Sequence, residues 1–234
     1  MAIQMERGCV VMASREERLE IQGYEASISC HLYPALEAVA YTPQDDGVRK
    51  DYVLSSTGEV VSIVPLKGLK TIMRKTGERP FDLLVASSSY NYAERGLLGL
   101  LSGPDALLLR YADVMHPGGD SFTVQMAEEV ADHVRSNTSA RRLMFACDAG
   151  FSRSAALAAA YLRSSGADDW CIWSNSNLSP NPFVYRLQLA AFGIEVTEEE
   201  ALSLRAMSDE AMAARIRSTY DAGLLGAGEG EAVS

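Results

Sequence analysis

The stretch Phe145-Ala146-Cys147-Asp148-Ala149-Gly150-Phe151-Ser152-Arg153-Ser154 decides the architecture of this chain. Leu143 to Ala146, at its front, is a short apolar run of the kind that fills a buried strand. Ala155 to Arg163, at its back, is rich in alanine and helix-forming. A strand that turns into a helix through one tight loop is the unit of a layered α/β sheet. The expected fold is therefore α/β, a central, largely parallel sheet flanked by helices.

Working outward, Phe81–Ala86 and Ala106–Tyr111 read as further buried strands, and Ala93–Leu101 as a helix. Ser121 to Arg135 carries Val124, Ala127, Val130, Ala131 and Val134 at helical spacing. A short apolar run, Trp170–Trp173, is followed by a helix from Pro182 to Phe192. Thr197-Glu198-Glu199-Glu200 has the form of a capping box, and Ser208-Asp209-Glu210 opens another helix to about Tyr220. Upstream, an extra β-rich N-terminal segment holds Ala26–Cys30, Ala38–Thr42, Tyr52–Ser55 and Glu59–Val64, then a short basic helix, Pro65 to Lys75. These patterns predict a loose segment over 1–14, one domain over 15–221 with its core at about 81–192, and a disordered Gly/Ala/Glu-rich tail over 222–234.

Of the 234 residues, 47% are hydrophobic, enough to fill a core of this size. The net charge of −10 opposes binding to nucleic acid and to anionic membrane surfaces. No run is long and apolar enough for a membrane span, and Met1 to Arg18 lacks the form of a secretory signal. The four cysteines, Cys9, Cys30, Cys147 and Cys171, form no C-x-x-C pair and no zinc pattern. The expected location is the cytoplasm, where a thiol stays reduced.

The loop from Cys147 to Arg153 has the composition of an anion cradle. A helix N-terminus presents unpaired N–H groups and partial positive charge. The amides of Asp148, Ala149, Gly150, Phe151, Ser152 and Arg153 can be turned toward one phosphate, with Gly150 supplying a backbone conformation other residues avoid. Arg153 can grip two phosphate oxygens with its planar fork. A free thiol has a pKa of about 8.5, and such surroundings lower it to roughly 3.5–7.5. The groups that bind phosphate are thus the ones that would make Cys147 a nucleophile.

Cys147-Asp148-Ala149-Gly150-Phe151-Ser152-Arg153-Ser154 resembles the Cys-x5-Arg loop of cysteine-dependent protein tyrosine phosphatases, most closely the dual-specificity branch in its bacterial form. The likeness continues in Ala159-Ala160-Tyr161-Leu162, Pro180-Asn181-Pro182-Phe183 and Leu187-Gln188-Leu189, and covers about Phe81 to Phe192. It implies Cys147 as nucleophile, Arg153 as phosphate clamp, Ser154 as the residue that helps the sulfur leave, and Asn181 as a brace for the loop. It also implies hydrolysis of a phosphorylated protein without metal or cofactor. Two positions depart from the family. Ala146 stands where members usually carry a His that supports the thiolate, as in low-molecular-weight relatives that manage without it. Asp148 places a carboxylate in the loop; loop side chains can point outward, and there it would bias the choice of substrate.

A general acid is expected on a loop at the same sheet edge. Asp113 directly follows a strand and is preferred on position; Asp120, nearer the next helix, is the alternative. His133, on a helix surface, and His116, on a loop, make no metal set; Cys171 reads as a core thiol; Lys67, Lys70, Arg74 and Lys75 read as a solvated face. Three other chemistries fit the same residues: hydrolysis of a small phosphate monoester such as an inositol phosphate or nucleotide, phosphate binding without turnover, and sulfur or arsenate chemistry. Nothing in the sequence fixes the oligomeric state.

Overall fold

The structure, a computed structural model, describes residues 39–43, 49–92 and 96–226, with side chains for all but 40–43 and 219–226. The expected strand Ala26–Cys30 and the segment 1–14 lie outside the described residues. The strands are β1 (Val39–Pro43), β2 (Lys50–Leu54), β3 (Val60–Pro65), β4 (Leu83–Ser88), β5 (Ala106–Arg110) and β6 (Arg142–Cys147). They form one sheet in the order β1-β2-β3-β6-β4-β5. β3, β6, β4 and β5 run parallel, whereas β1 and β2 are antiparallel additions at one side. The fold is α/β with a mixed, mostly parallel sheet and helices on both faces.

The helices are α1 (Leu66–Thr76), α2 (Leu98–Leu101), α3 (Val124–Arg135), α4 (Arg153–Ser164), α5 (Trp170–Trp173), α6 (Pro182–Ala191) and α7 (Glu198–Gly226). Alternation along each strand divides two cores. Leu143 and Phe145 of β6 join the larger one, with Ile63, Val85, Phe122, Leu157 and Trp173. Met144 and Ala146 join the smaller one, with Val64, Leu66, Leu69, Ala86 and Leu101. α4 lies against the sheet on one side and α6 on the other, and ten of its twelve residues are buried. A helix enclosed in this way has to be thin, and Ala155, Ala156, Ala158, Ala159 and Ala160 make it so without loss of helix propensity.

Three expectations need correction. A core at 81–192 leaves out β3, yet β3 pairs with β6 along its whole length, from Val60↔Arg142 to Pro65↔Cys147. Its central residues are buried because both faces of a parallel strand are covered. Secondly, Ser208-Asp209-Glu210 opens no new helix. The Ser208 hydroxyl is buried and donates to the Leu178 carbonyl (3.2 Å), and Asp209 accepts from Ser179 Oγ (2.9 Å) and Arg205 Nε, so α7 passes through unbroken. Thirdly, α7 reaches Gly226, which makes residues 222–226 helical where a tail was expected; 227–234 lie outside the described residues. The capping box at its start does form, through Glu200 N–H to Thr197 Oγ1 (3.1 Å) and Thr197 N–H to Glu200 Oε2 (2.8 Å). Among the described residues no helix is long and apolar enough to cross a membrane.

One buried charge ties α4, α5 and α6 together. Asp169 faces Arg163 (3.5 Å) and accepts from Trp173 Nε1 (3.2 Å) and Tyr185 Oη (2.5 Å). Burial, with the Asp169 carboxylate beside it, holds the Tyr185 phenol well above its usual pKa, so it stays a donor. Removing one partner of such a pair leaves the other charge buried and uncompensated. Asp169→Ala is expected to lose about 3–5 kcal/mol in denaturant unfolding, whereas Asp132→Ala, at an exposed pair on α3, changes stability by less than about 1 kcal/mol.

Candidate active site

Because β3, β6, β4 and β5 are parallel, Pro65, Cys147, Ser88 and Arg110 all end at one edge of the sheet. β6 is the last of the four in sequence and is inserted between β3 and β4, so the strand order reverses there. Open α/β sheets bind ligands outside the carboxyl ends of their strands at such a place. The loop between β6 and α4, residues 148–152, occupies it.

Gly150 sets the shape of the loop. Its φ is 64°, and a Cβ there would stand 2.3 Å from Pro65 N and 2.6 Å from Val64 C. The loop crosses the β3–α1 junction backbone to backbone, which only glycine permits. Ser152 then stands at the N-cap of α4, where a serine side chain usually caps the first amides. It does not cap them here. Its hydroxyl donates instead to Asp113 Oδ1 (3.0 Å), and the uncapped helix end faces the loop.

Cys147 is buried, with its Sγ 3.0 Å from Ser154 Oγ on the first turn of α4. Arg153, only 4% exposed, lays its guanidinium back along the sheet edge. Nη1 donates to the Tyr111 carbonyl (2.8 Å) and Ser89 Oγ (3.0 Å), and Nη2 to Asp148 Oδ2 (2.7 Å). The guanidinium carbon lies 5.7 Å from the centre of the Tyr111 ring. Nε is buried and has no hydrogen-bond partner among the described residues. A buried unpaired N–H on a charged group is costly, and an anion oxygen is the acceptor that suits it.

The carboxylate of Asp148 turns inward, although a loop side chain at this position could have pointed outward. It accepts from Ser88 Oγ (2.8 Å), from the Ser89 amide (3.1 Å) and from Arg153. Burial alone would raise its pKa, but these three donors outweigh burial and hold the carboxyl below its usual range. The reason for the inward turn is the charge of Arg153, which at this depth needs an anion.

The structure brings Asp113 to the loop and leaves Asp120 apart. Asp113 Oδ1 accepts from Ser152 Oγ and from Asn181 Nδ2 (2.8 Å). Oδ2 makes no hydrogen bond to a described residue. Asp120 contributes its carbonyl, which accepts from Ala112 N–H and closes the 112–120 loop, while its carboxylate makes no such contact. Asn181 is fully buried and uses its whole amide. Oδ1 caps α6 by accepting from Phe183 and Val184 N–H, and Nδ2 reaches Asp113 and the Val114 carbonyl. The segment before α6 also donates backbone N–H groups to the loop, Ser179 to Phe151 O (3.1 Å) and Asn181 to Ser152 O (3.4 Å).

Sequence reading missed Ser88, Ser89 and Tyr111. The signal was present: an apolar run, Leu83–Ala86, that ends in three serines at a strand terminus, and a tyrosine closing the next strand. His133 is part-buried at the end of α3 rather than on its surface, and burial lowers its pKa. Cys171 is partly exposed, its Sγ against the Asp168 carbonyl (3.3 Å). Compared with protein-family models, with curated proteins and with solved structures, the chain finds no match.

The close approach at Gly150 yields a clear expectation. Gly150→Ala, with a positive φ and a methyl against Pro65, should cost about 2 kcal/mol or more in denaturant unfolding. Gly119→Ala, with open space around it, should stay within about 0.5 kcal/mol of the parent.

Proposed function

We propose that this chain is a cysteine-dependent phosphate monoester hydrolase of the tyrosine/dual-specificity type. The observation that carries it is the buried, unpaired Nε of Arg153 on the same short loop as Cys147, over an uncapped helix end. Ser154 Oγ within hydrogen-bond distance of Sγ, and Asp113 held against Ser152, fit the same chemistry.

The residues divide the work as follows. The loop amides and Arg153 hold the phosphoryl group with its phosphorus in line with Sγ. The Cys147 thiolate forms an S–P bond as the P–O bond to the leaving group breaks, and Asp113 gives its proton to the departing oxygen. Water then attacks phosphorus, its proton passes to the Asp113 carboxylate, and Cys147 leaves as thiolate with Ser154 donating to the sulfur. The products are an alcohol or phenol and inorganic phosphate. No metal or cofactor enters the scheme. The substrate is a phosphorylated protein or a small phosphate monoester.

A second reading, phosphate binding without turnover, is favoured by the Asp148–Arg153 pair, which keeps part of the clamp occupied. Turnover of p-nitrophenyl phosphate in EDTA separates the two. Cys147→Ser is expected to lose roughly 10³-fold or more of that turnover and still to bind orthovanadate. Near-parental turnover in Cys147→Ser rules out the mechanism, and vanadate binding by a parent chain that turns nothing over leaves the binding protein.

The acid is tested by the pH–rate profile. Asp113→Asn should slow alkyl and aryl phosphate cleavage by about 10²–10⁴-fold and remove the basic limb, with Asp120→Asn close to the parent. The reverse pattern moves the acid to Asp120.

A further inference from the structure

β2 runs antiparallel to β3, so its first residue, Lys50, lies at the same sheet edge as Cys147. The registers also fix its direction. Lys50 is opposite Ile63, Ile63 is opposite Phe145, and Cys147 follows Phe145 by two residues on β6. Ladder partners share a face, as do residues two apart on a strand. Lys50 and Cys147 therefore project to the same face, that of the larger core. Two strand spacings and two residues separate their Cα atoms by about 12 Å, a gap that the lysine stem and the cysteine side chain close between them.

Three further observations bear on this lysine. Its neighbour Asp51 points to the opposite face, where it accepts from Ser62 Oγ (2.7 Å) and pairs with Arg49 (3.3 Å). Lys50 itself is part-buried, and its side chain makes no hydrogen bond or ion pair to a described residue. Burial lowers its pKa, and its electrostatic interaction with Cys147 acts against that.

The other charged and titratable groups around Cys147 supply little positive charge. Arg153 is paired with Asp148 on the same loop. Tyr111, after β5, and Tyr92, after β4, are both held above their usual range by burial first of all, and stay neutral. Asp113 brings a carboxyl group and Ser154 a hydroxyl, neither of them a cation. Ala146 turns its methyl into the smaller core on the other face.

We infer that Lys50 is the cation that holds Cys147 as a thiolate, a positioning residue that acts through the nucleophile. Its consequence for turnover rests on the phosphatase reading; its effect on the sulfur does not. The test is alkylation of Cys147 by iodoacetamide across pH in the full chain, read on the Cys147 peptide by mass spectrometry. In Lys50→Met the inflection should rise by between about half a unit and about two units, the range for a charge ~6 Å away at effective dielectrics of roughly 80 and 20. Lys50→Arg should restore the parental profile, and Lys50→Gln, read the same way, serves where the Met variant fails to fold. An unmoved inflection in Met and Gln, or the same rise in Arg as in Met, overturns the inference. With p-nitrophenyl phosphate turnover present and the inflection unmoved, only the role of Lys50 falls. With turnover absent and the inflection moved, only the phosphatase reading falls.

Discussion

A guanidinium that is only 4% exposed has to find acceptors inside the protein, and the Arg153 fork finds them on three strands. Asp148 follows β6, Ser89 follows β4, and the Tyr111 carbonyl follows β5. The three can converge only if β6, β4 and β5 are parallel and in register, with Ser87 beside Cys147 and Ser88 beside Arg110. The sheet order and the site thus depend on one another. The backbone bond from Tyr111 N–H to the Ser88 carbonyl, and the side-chain hydrogen bond between Tyr111 Oη and Ser87 Oγ, hold the acceptors at the spacing of the fork.

That arrangement carries a consequence for the proposed chemistry. A phosphate entering the loop meets an arginine whose Nη2 already holds a carboxylate, and the donors around Asp148 keep that carboxylate charged. The phosphate gains the unpaired Nε and the helix end but stands near a like charge. In the proposed reaction, binding would be weaker than a neutral loop residue would give, for substrate and product alike. Asp148 also keeps the fork in place when the site is empty, so less side-chain freedom is lost on binding. In the proposed reaction the first effect would raise KM, and the second would protect the geometry on which the chemical step depends.

Much of this was legible in the sequence because it is local. The strand, the glycine, the arginine and the helix follow one another from Leu143 to Arg163, and each is where its residue type predicts. Asp113 was reachable by position, since a carboxylate just after a strand must lie at the loop edge of a parallel sheet. The direction of Asp148 was not legible, because it is decided by Ser88, Ser89 and the burial of Arg153, sixty residues of chain folded against the loop. Nor was the continuity of α7, where a serine that looks like a cap is spent on the Leu178 carbonyl. Both failures are tertiary contacts overriding a local preference.

The resemblance read in the sequence covers about residues 81 to 192, yet the loop is not completed within that span. Gly150 can take its conformation only against the chain at Val64 and Pro65. β3, which ends there, is one of the two neighbours that hold β6 in the middle of the sheet. β2 runs the other way, and for that reason its beginning, rather than its end, meets the loop edge. An antiparallel strand added beside a parallel sheet brings its first residue to the place where the parallel strands bring their last. A lysine near the start of the described chain thereby comes to face a cysteine far along it, and the part-buried positive charge it carries adds to the helix end beneath the loop.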